Sequence, residues 1–293
     1  MKKYRIVIVV IVMSIFTGCN NNPYESDTNT PKQLNISILL DLSDRISPTI
    51  HPATPSHKDR DLTIINNIVE YFKHDMGERG TFDANGRIRV FMEPAPTIPN
   101  IDQLQRQLSV DCSKMDVKQK KEVYDELSEI FSCALNEIYT QTIENSKFPG
   151  SDIWRFFQNK VNDYCISKDT NYRNILIILT DGYIYDEMTT QKIGTRVQNL
   201  TVSTIGKYRN SPDPISAIQS DDFGLLVPQN VNVTGLEVLV LEVAPENNSQ
   251  KDEQILTFCI EKWLKEMGIE HQAVYTSDLP ANTLHRVERF LDD

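Results

Sequence analysis

The segment Asn174-Ile175-Leu176-Ile177-Ile178-Leu179-Thr180-Asp181-Gly182 decides how this chain folds. Ile175 to Leu179 is an unbroken apolar run with no polar residue at alternate positions. A strand with one wet face alternates; a strand covered on both faces does not. Helical crossovers cover both faces of parallel sheets, so the run predicts a central parallel strand over Asn174 to Thr180. Its end, Thr180-Asp181-Gly182, sets a carboxylate where that strand leaves the sheet.

Two more segments read the same way. Asn35 to Leu40 is a shorter apolar run that also ends in an aspartate, Asp41, and Leu236 to Val243 is a third strand. Helical patterns lie between them. Leu62, Ile65, Ile68, Val69 and Phe72 share one face of a helix expected over Asp61 to Phe72. Asn85-Gly86 is a turn signal before a strand over Arg87 to Met92, which Pro94 and Pro96 stop. Residues 101–148 read as a polar helical block. Val123, Leu127, Ile130, Phe131, Ala134, Leu135 and Ile138 form its stripe, and Asp116 with Gln119 its start cap. Pro149-Gly150-Ser151-Asp152 opens a helix from Ile153 to about Tyr164. Residues 187–206 look partly helical, and 207–234 irregular. A helix over Lys251 to Met267 stops at Gly268, followed by an edge strand over His271 to Tyr275 and a closing helix over Leu284 to Leu291. There are no repeats. Strands alternating with helices imply an α/β fold: a doubly wound, mostly parallel central sheet with helices on both faces.

Composition bounds the function. The 293 residues are 40 % hydrophobic and 24 % charged, an ordinary globular mix. Thirty Lys and Arg against 41 Asp and Glu give a net charge of −11, which argues against a nucleic-acid binder. Only one long apolar run occurs, so a polytopic membrane protein is excluded. That run is at the start. Lys2, Lys3 and Arg5 precede Ile6 to Phe16, 11 residues, too short to span a bilayer stably. Phe16-Thr17-Gly18-Cys19 then resembles a bacterial lipobox, with Phe16 where Leu is usual. The resemblance implies a lipoprotein signal peptide over 1–18, and cleavage before Cys19, whose thiol carries the lipid, palmitate for example. It implies anchoring to a membrane of the bacterial cell envelope, the outer membrane or the cell surface. Cleavage would remove three cations and no acid, taking the net charge to −14. The polar residues that follow suit a flexible tether over 19–34. The folded domain is expected over 35–293.

Cys112, Cys133, Cys165 and Cys259 show no CxxC or zinc-ligand spacing. Cys259 sits on an apolar helical face with Leu256, Ile260 and Trp263, as a buried thiol would. A disulfide among the other three stays open, since spacing does not reveal pairing. The five histidines show no metal-ligand spacing, although His51 and His57 lie in the loop after Asp41.

Ligands of such sheets bind at the carboxyl ends of the strands. Asp41 and Asp181 stand there. Ser43, Asp44 and Arg45 follow the first, and Ser151 and Asp152 lie in a neighbouring loop. Hard oxygens gathered at one edge suit Mg²⁺ or Mn²⁺.

At this point the chain resembles the von Willebrand factor type A family. The matching segments are Asp41-Leu42-Ser43-Asp44-Arg45, Gly150-Ser151-Asp152-Ile153 and Leu179-Thr180-Asp181-Gly182. The resemblance covers roughly Ile36 to Tyr275, with about 98–148 as a helical insertion. It implies a metal-ion-dependent adhesion site built from Asp41, Ser43, Ser151 and Asp181. Two departures stand out: Ser151 replaces the family's Thr, and Arg45 replaces its second Ser. Arg45 would compete with a cation, or pair with Asp44 or Asp181 as a built-in counter-ion.

Three functions follow. The first is a lipid-anchored, non-enzymatic module that binds a protein partner through a degenerate adhesion site. The second is a structural lipoprotein with a vestigial, metal-free site. The third is a metal-dependent phosphohydrolase of the haloacid dehalogenase type. For that family Asp41-Leu42-Ser43 lacks the acid two residues after the first Asp.

Overall fold

In the computed structural model, residues 31–246 and 249–293 are described. The expected signal peptide, Cys19 and the tether up to residue 30 lie outside the described residues. Along the chain run β1 (Gln33–Leu40), α1 (His57–Asp83), β2 (Arg87–Met92), α2 (Ile101–Gln107), β3 (Ser109–Asp111) and α3 (Val117–Asn145). Then come α4 (Ile153–Asn159), α5 (Val161–Tyr164), β4 (Tyr172–Leu179), β5 (Lys192–Ile193), β6 (Arg196–Val197) and α6 (Val202–Arg209). The last are α7 (Pro214–Ser220), β7 (Gly224–Leu225), β8 (Leu236–Val243), α8 (Gln250–Glu266), β9 (Gln272–Thr276) and α9 (Pro280–Asp292).

Six strands form one sheet in the order β3-β2-β1-β4-β8-β9. All neighbours run parallel except β3, which pairs antiparallel with β2 at the edge. The fold is therefore mixed α/β, with a mostly parallel central sheet. The apolar run Ile175 to Leu179 is the heart of β4, between β1 and β8. Leu40 is in register with Leu179, and Leu179 with Leu241.

The period of two along each strand sends alternate residues into two separate cores. Ile36, Ile38 and Leu40 with Ile175, Ile177 and Leu179 pack against Ile65 and Phe72 of α1, Phe131 and Ile138 of α3, and Val287 of α9. Leu39, Leu176 and Ile178 pack against Phe156 and Phe157 of α4 and Leu256 and Trp263 of α8. Each fully buried Ile, Leu or Phe contributes about 1.5–3 kcal/mol. This is why β4 does not alternate: it has no wet face.

Helix starts follow local chemistry. Asp116 accepts from the Gln119 backbone N–H while the Gln119 side chain accepts from Asp116 N, a complete capping box on α3. Asp116→Ala is expected to cost about 1 kcal/mol, read as a lower urea midpoint with unchanged slope.

Elsewhere the structure corrects the sequence. Residues 101–148 are not helical throughout: Ser109–Asp111 is the edge strand β3, too short to show a period. Asp61 to Phe72 is only the middle of α1, which Ser56 caps by accepting from Asp59 N. The irregular stretch 207–234 contains α7, capped by Asp213 with Pro214 at its first position, a signal present in the sequence. Residues 187–206 hold two two-residue strands before α6 begins. All four cysteines after Cys19 are free, with Cys112, Cys165 and Cys259 buried and Cys133 exposed, so the open disulfide does not form. Among the described residues no helix is long and apolar enough to cross a membrane.

Candidate functional site

Because β1 and β4 are adjacent and parallel, their carboxyl ends emerge side by side. Asp41 N donates to the Leu179 carbonyl at 3.0 Å. The Asp41 side chain is buried, and both of its oxygens are occupied. Oδ1 accepts from Ser43 N at 2.9 Å and Oδ2 from the Thr180 hydroxyl at 2.8 Å. Asp181 begins the next loop, with Oδ1 accepting from Tyr183 N at 2.9 Å. Gly182 between them has φ +94°, and a Cβ there would lie 3.0 Å from Val243. Burial first, then Asp41, pushes the Asp181 carboxyl well above the usual range, while Arg45 pulls it back.

Arg45 turns inward. It is 1 % exposed, and a short helical turn over Asp44–Ile46 aims its side chain at α1. Nε donates to the Asp41 carbonyl at 3.0 Å, and Nη2 donates to Asp61 Oδ2 at 2.5 Å and to the Leu179 carbonyl at 3.3 Å. The Tyr139 hydroxyl donates to the same Asp61 oxygen at 2.7 Å. Burial opposes the guanidinium's charge, but Asp61, then Asp41, Tyr139 and Asp181 outweigh it and hold the group charged. Burial likewise pushes Asp61 above its ordinary value, with Arg45 and Tyr139 acting in the opposite direction. Of the expected partners of Arg45, neither Asp44 nor Asp181 makes the bond. The partner is Asp61, which the sequence reading left out. A signal existed: Asp61 lies four residues before Ile65 on the apolar face of α1, where a carboxylate has to be paired.

Ser151 follows Gly150, whose φ is +86°; a Cβ there would lie 2.9 Å from the Tyr185 carbonyl. Ser151 and Tyr185 exchange backbone hydrogen bonds at 3.0 and 2.9 Å. Ser151 is 3 % exposed, and its Oγ has no hydrogen-bond partner. Asp152 is employed structurally. It caps α4 through Arg155 N and accepts from the Thr189 hydroxyl, so it is not an open ligand. His51 lies 4.0 Å from Asp44, and His57 is pushed down to about 4, by burial first and then by Arg45.

Ser43, Ser151 and Asp181 line one cavity of about 1450 Å³, and Asp41 meets its wall by accepting from the backbone N–H of Ser43. The rim carries exposed apolar side chains from two loops: Ile50 (53 %), Tyr185 (48 %) and Met188 (84 %).

The residues fit a divalent ion poorly. Octahedral Mg²⁺ needs several free oxygens. Both Asp41 oxygens already accept hydrogen bonds, and the Arg45 guanidinium, 3.8 Å from Oδ2, already balances that charge. Among the described residues no three His, Cys, Asp or Glu side chains form a metal-holding group.

No family model and no curated protein matches the chain. Among solved structures it is similar to the pilus adhesin SpaC from Lactobacillus rhamnosus GG, at 11 % identity and a TM-score of 0.40. The match covers 89 % of this chain and 31 % of the adhesin, so the chain spans about a third of that protein's length.

Proposed function

We propose that this chain is a lipid-anchored protein of the bacterial cell envelope whose von Willebrand A-like domain binds a protein partner and catalyses nothing. In this reading the strand-end cavity is a degenerate adhesion site. Arg45 does the electrostatic work of the family's ion, and neither Mg²⁺ nor Mn²⁺ is resident. The observation that carries it is the rim. Three large apolar side chains, two of them about half exposed and one almost fully so, surround the cavity at the edge where such sheets bind ligands. Their clustering at one cavity mouth, rather than exposure alone, favours association with a partner. The mostly parallel central sheet with helices over two cores is compatible with this reading. A phosphohydrolase is disfavoured because Ser43 stands where the general acid would be.

Three experiments test it. Capture of envelope proteins by the full-length chain should recover a partner with or without chelator, and Met188→Glu should lose it while melting is unchanged. Equal capture by the variant would overturn the rim reading. An ion-dependent melting temperature would overturn the metal-free site. For the anchor, Cys19→Ser should leave the precursor uncleaved or release it from membranes; unchanged fractionation and mass would end the lipoprotein reading.

A further inference from the structure

We infer that the cavity receives a basic side chain, a lysine or arginine flanked by apolar residues in the partner, rather than an acidic one. This rests on the protein-binding reading above and specifies its ligand. The cavity wall is strongly acidic: Asp44, Asp181, Asp186, Glu187 and Glu246 line it against a single Lys147. Some of that charge is matched locally. Asp186 lies 3.8 Å from Arg155, whereas the partner of Asp44 is His51, at 4.0 Å, which is cationic only when protonated. Among the described residues Asp181, Glu187 and Glu246 have no Lys, Arg or His within ion-pair distance. Arg45, which neutralises the deeper carboxylates, is buried behind them and points towards Asp61.

A second observation is independent of charge. Ser151 is almost wholly buried on this wall, yet its hydroxyl has no partner in the protein. A buried hydroxyl left unpaired is costly, and an incoming N–H donor would satisfy it. Tyr183 and Tyr185 line the same wall, and aromatic rings attract cations; the apolar rim would take the flanking residues. Acidic walls also raise the encounter rate with a basic segment and reject an acidic one by like-charge repulsion.

The experiment uses the full-length protein in detergent and three blocked pentapeptides, Ala-Leu-X-Leu-Ala, with X as Arg, Gln or Glu, followed by calorimetry. The Arg peptide should bind at least about tenfold tighter than the Glu peptide and weaken as salt rises. The double variant Glu187→Gln with Glu246→Gln should reduce its affinity severalfold while melting like the native protein. Equal binding of the three peptides, no binding of the Arg peptide, or indifference to the double variant would each overturn the inference. So would a Glu peptide that binds once MgCl₂ is added. If envelope capture is lost in Met188→Glu but unchanged in the double variant, the protein-binding reading stands and the basic ligand falls. If the Arg peptide binds as described while Met188→Glu still captures the partner, the ligand stands and the rim does not.

Discussion

Arg45→Leu is expected to destabilise the domain by about 3–5 kcal/mol, the usual consequence of removing one partner from a buried ion pair. The side chains of Arg45 and Asp61 are 2 % and 0 % exposed. Without the guanidinium, Asp61 keeps only the Tyr139 hydroxyl on Oδ2, its other oxygen is already unpartnered, and Asp41 and Asp181 face each other without a cation. The loss depends on pH in a definite direction. Desolvation already raises Asp61, and loss of Arg45 raises it further. A carboxyl raised in the folded state stabilises it fully below the unfolded value, about 3.9, and that contribution disappears as pH rises through the folded value. The variant should therefore fall furthest behind the native protein near pH 7 and recover part of the gap near pH 4. Urea midpoints at the two pH values measure this. Adding Asp61→Leu to Arg45→Leu should recover much of the stability, since a buried pair replaced by apolar groups is often tolerated. A single-variant cost under about 1 kcal/mol would mean that the pair is not buried in solution.

The importance of this pair marks where the sequence stopped being legible. Long patterns were readable: β2 and β8 appear over the residues the patterns name, and the flanks of β1, β4 and α8 differ by one or two residues. Strand-end logic also places Ser43, Ser151 and Asp181 at one cavity, because parallel neighbours must end together. Two kinds of feature were not readable. Elements of two or three residues, such as β3, β5 and β6, have no period, and only their neighbours in space specify them. Side-chain direction in a turn is the other. Arg45 follows Asp44 in sequence and is near Asp181 in space, but the turn at Asp44–Ile46 sends it under the sheet edge to α1, 16 residues on. Asp61 carried a readable hint, a charge within an apolar stripe, and so did Tyr139 at the end of the stripe on α3. Which buried charge meets which was decided by the packing of α1 on α3, a tertiary fact.

Asp181→Asn is expected to stabilise the protein at neutral and alkaline pH and to do nothing near pH 4. Desolvation, and then the neighbouring Asp41, raises the Asp181 carboxyl well above its ordinary range. Its ionised form therefore opposes folding. The folded state holds the proton more tightly than the unfolded chain, so native stability is greatest below the unfolded value and declines as pH rises towards the folded one. Asparagine keeps the acceptor that Tyr183 N uses and removes the titration. The two melting curves should coincide near pH 4 and separate as pH rises, with the variant at least about 3 °C higher at pH 8. Parallel curves would show that solvent reaches Asp181 freely enough to pay no penalty. A carboxylate that folding disfavours, set in the wall of the strand-end cavity, is where a binding surface accepts a stability cost for its ligand. The same substitution should therefore weaken the Arg peptide as it strengthens the fold, and that opposition separates a ligand-facing carboxylate from one that is merely tolerated.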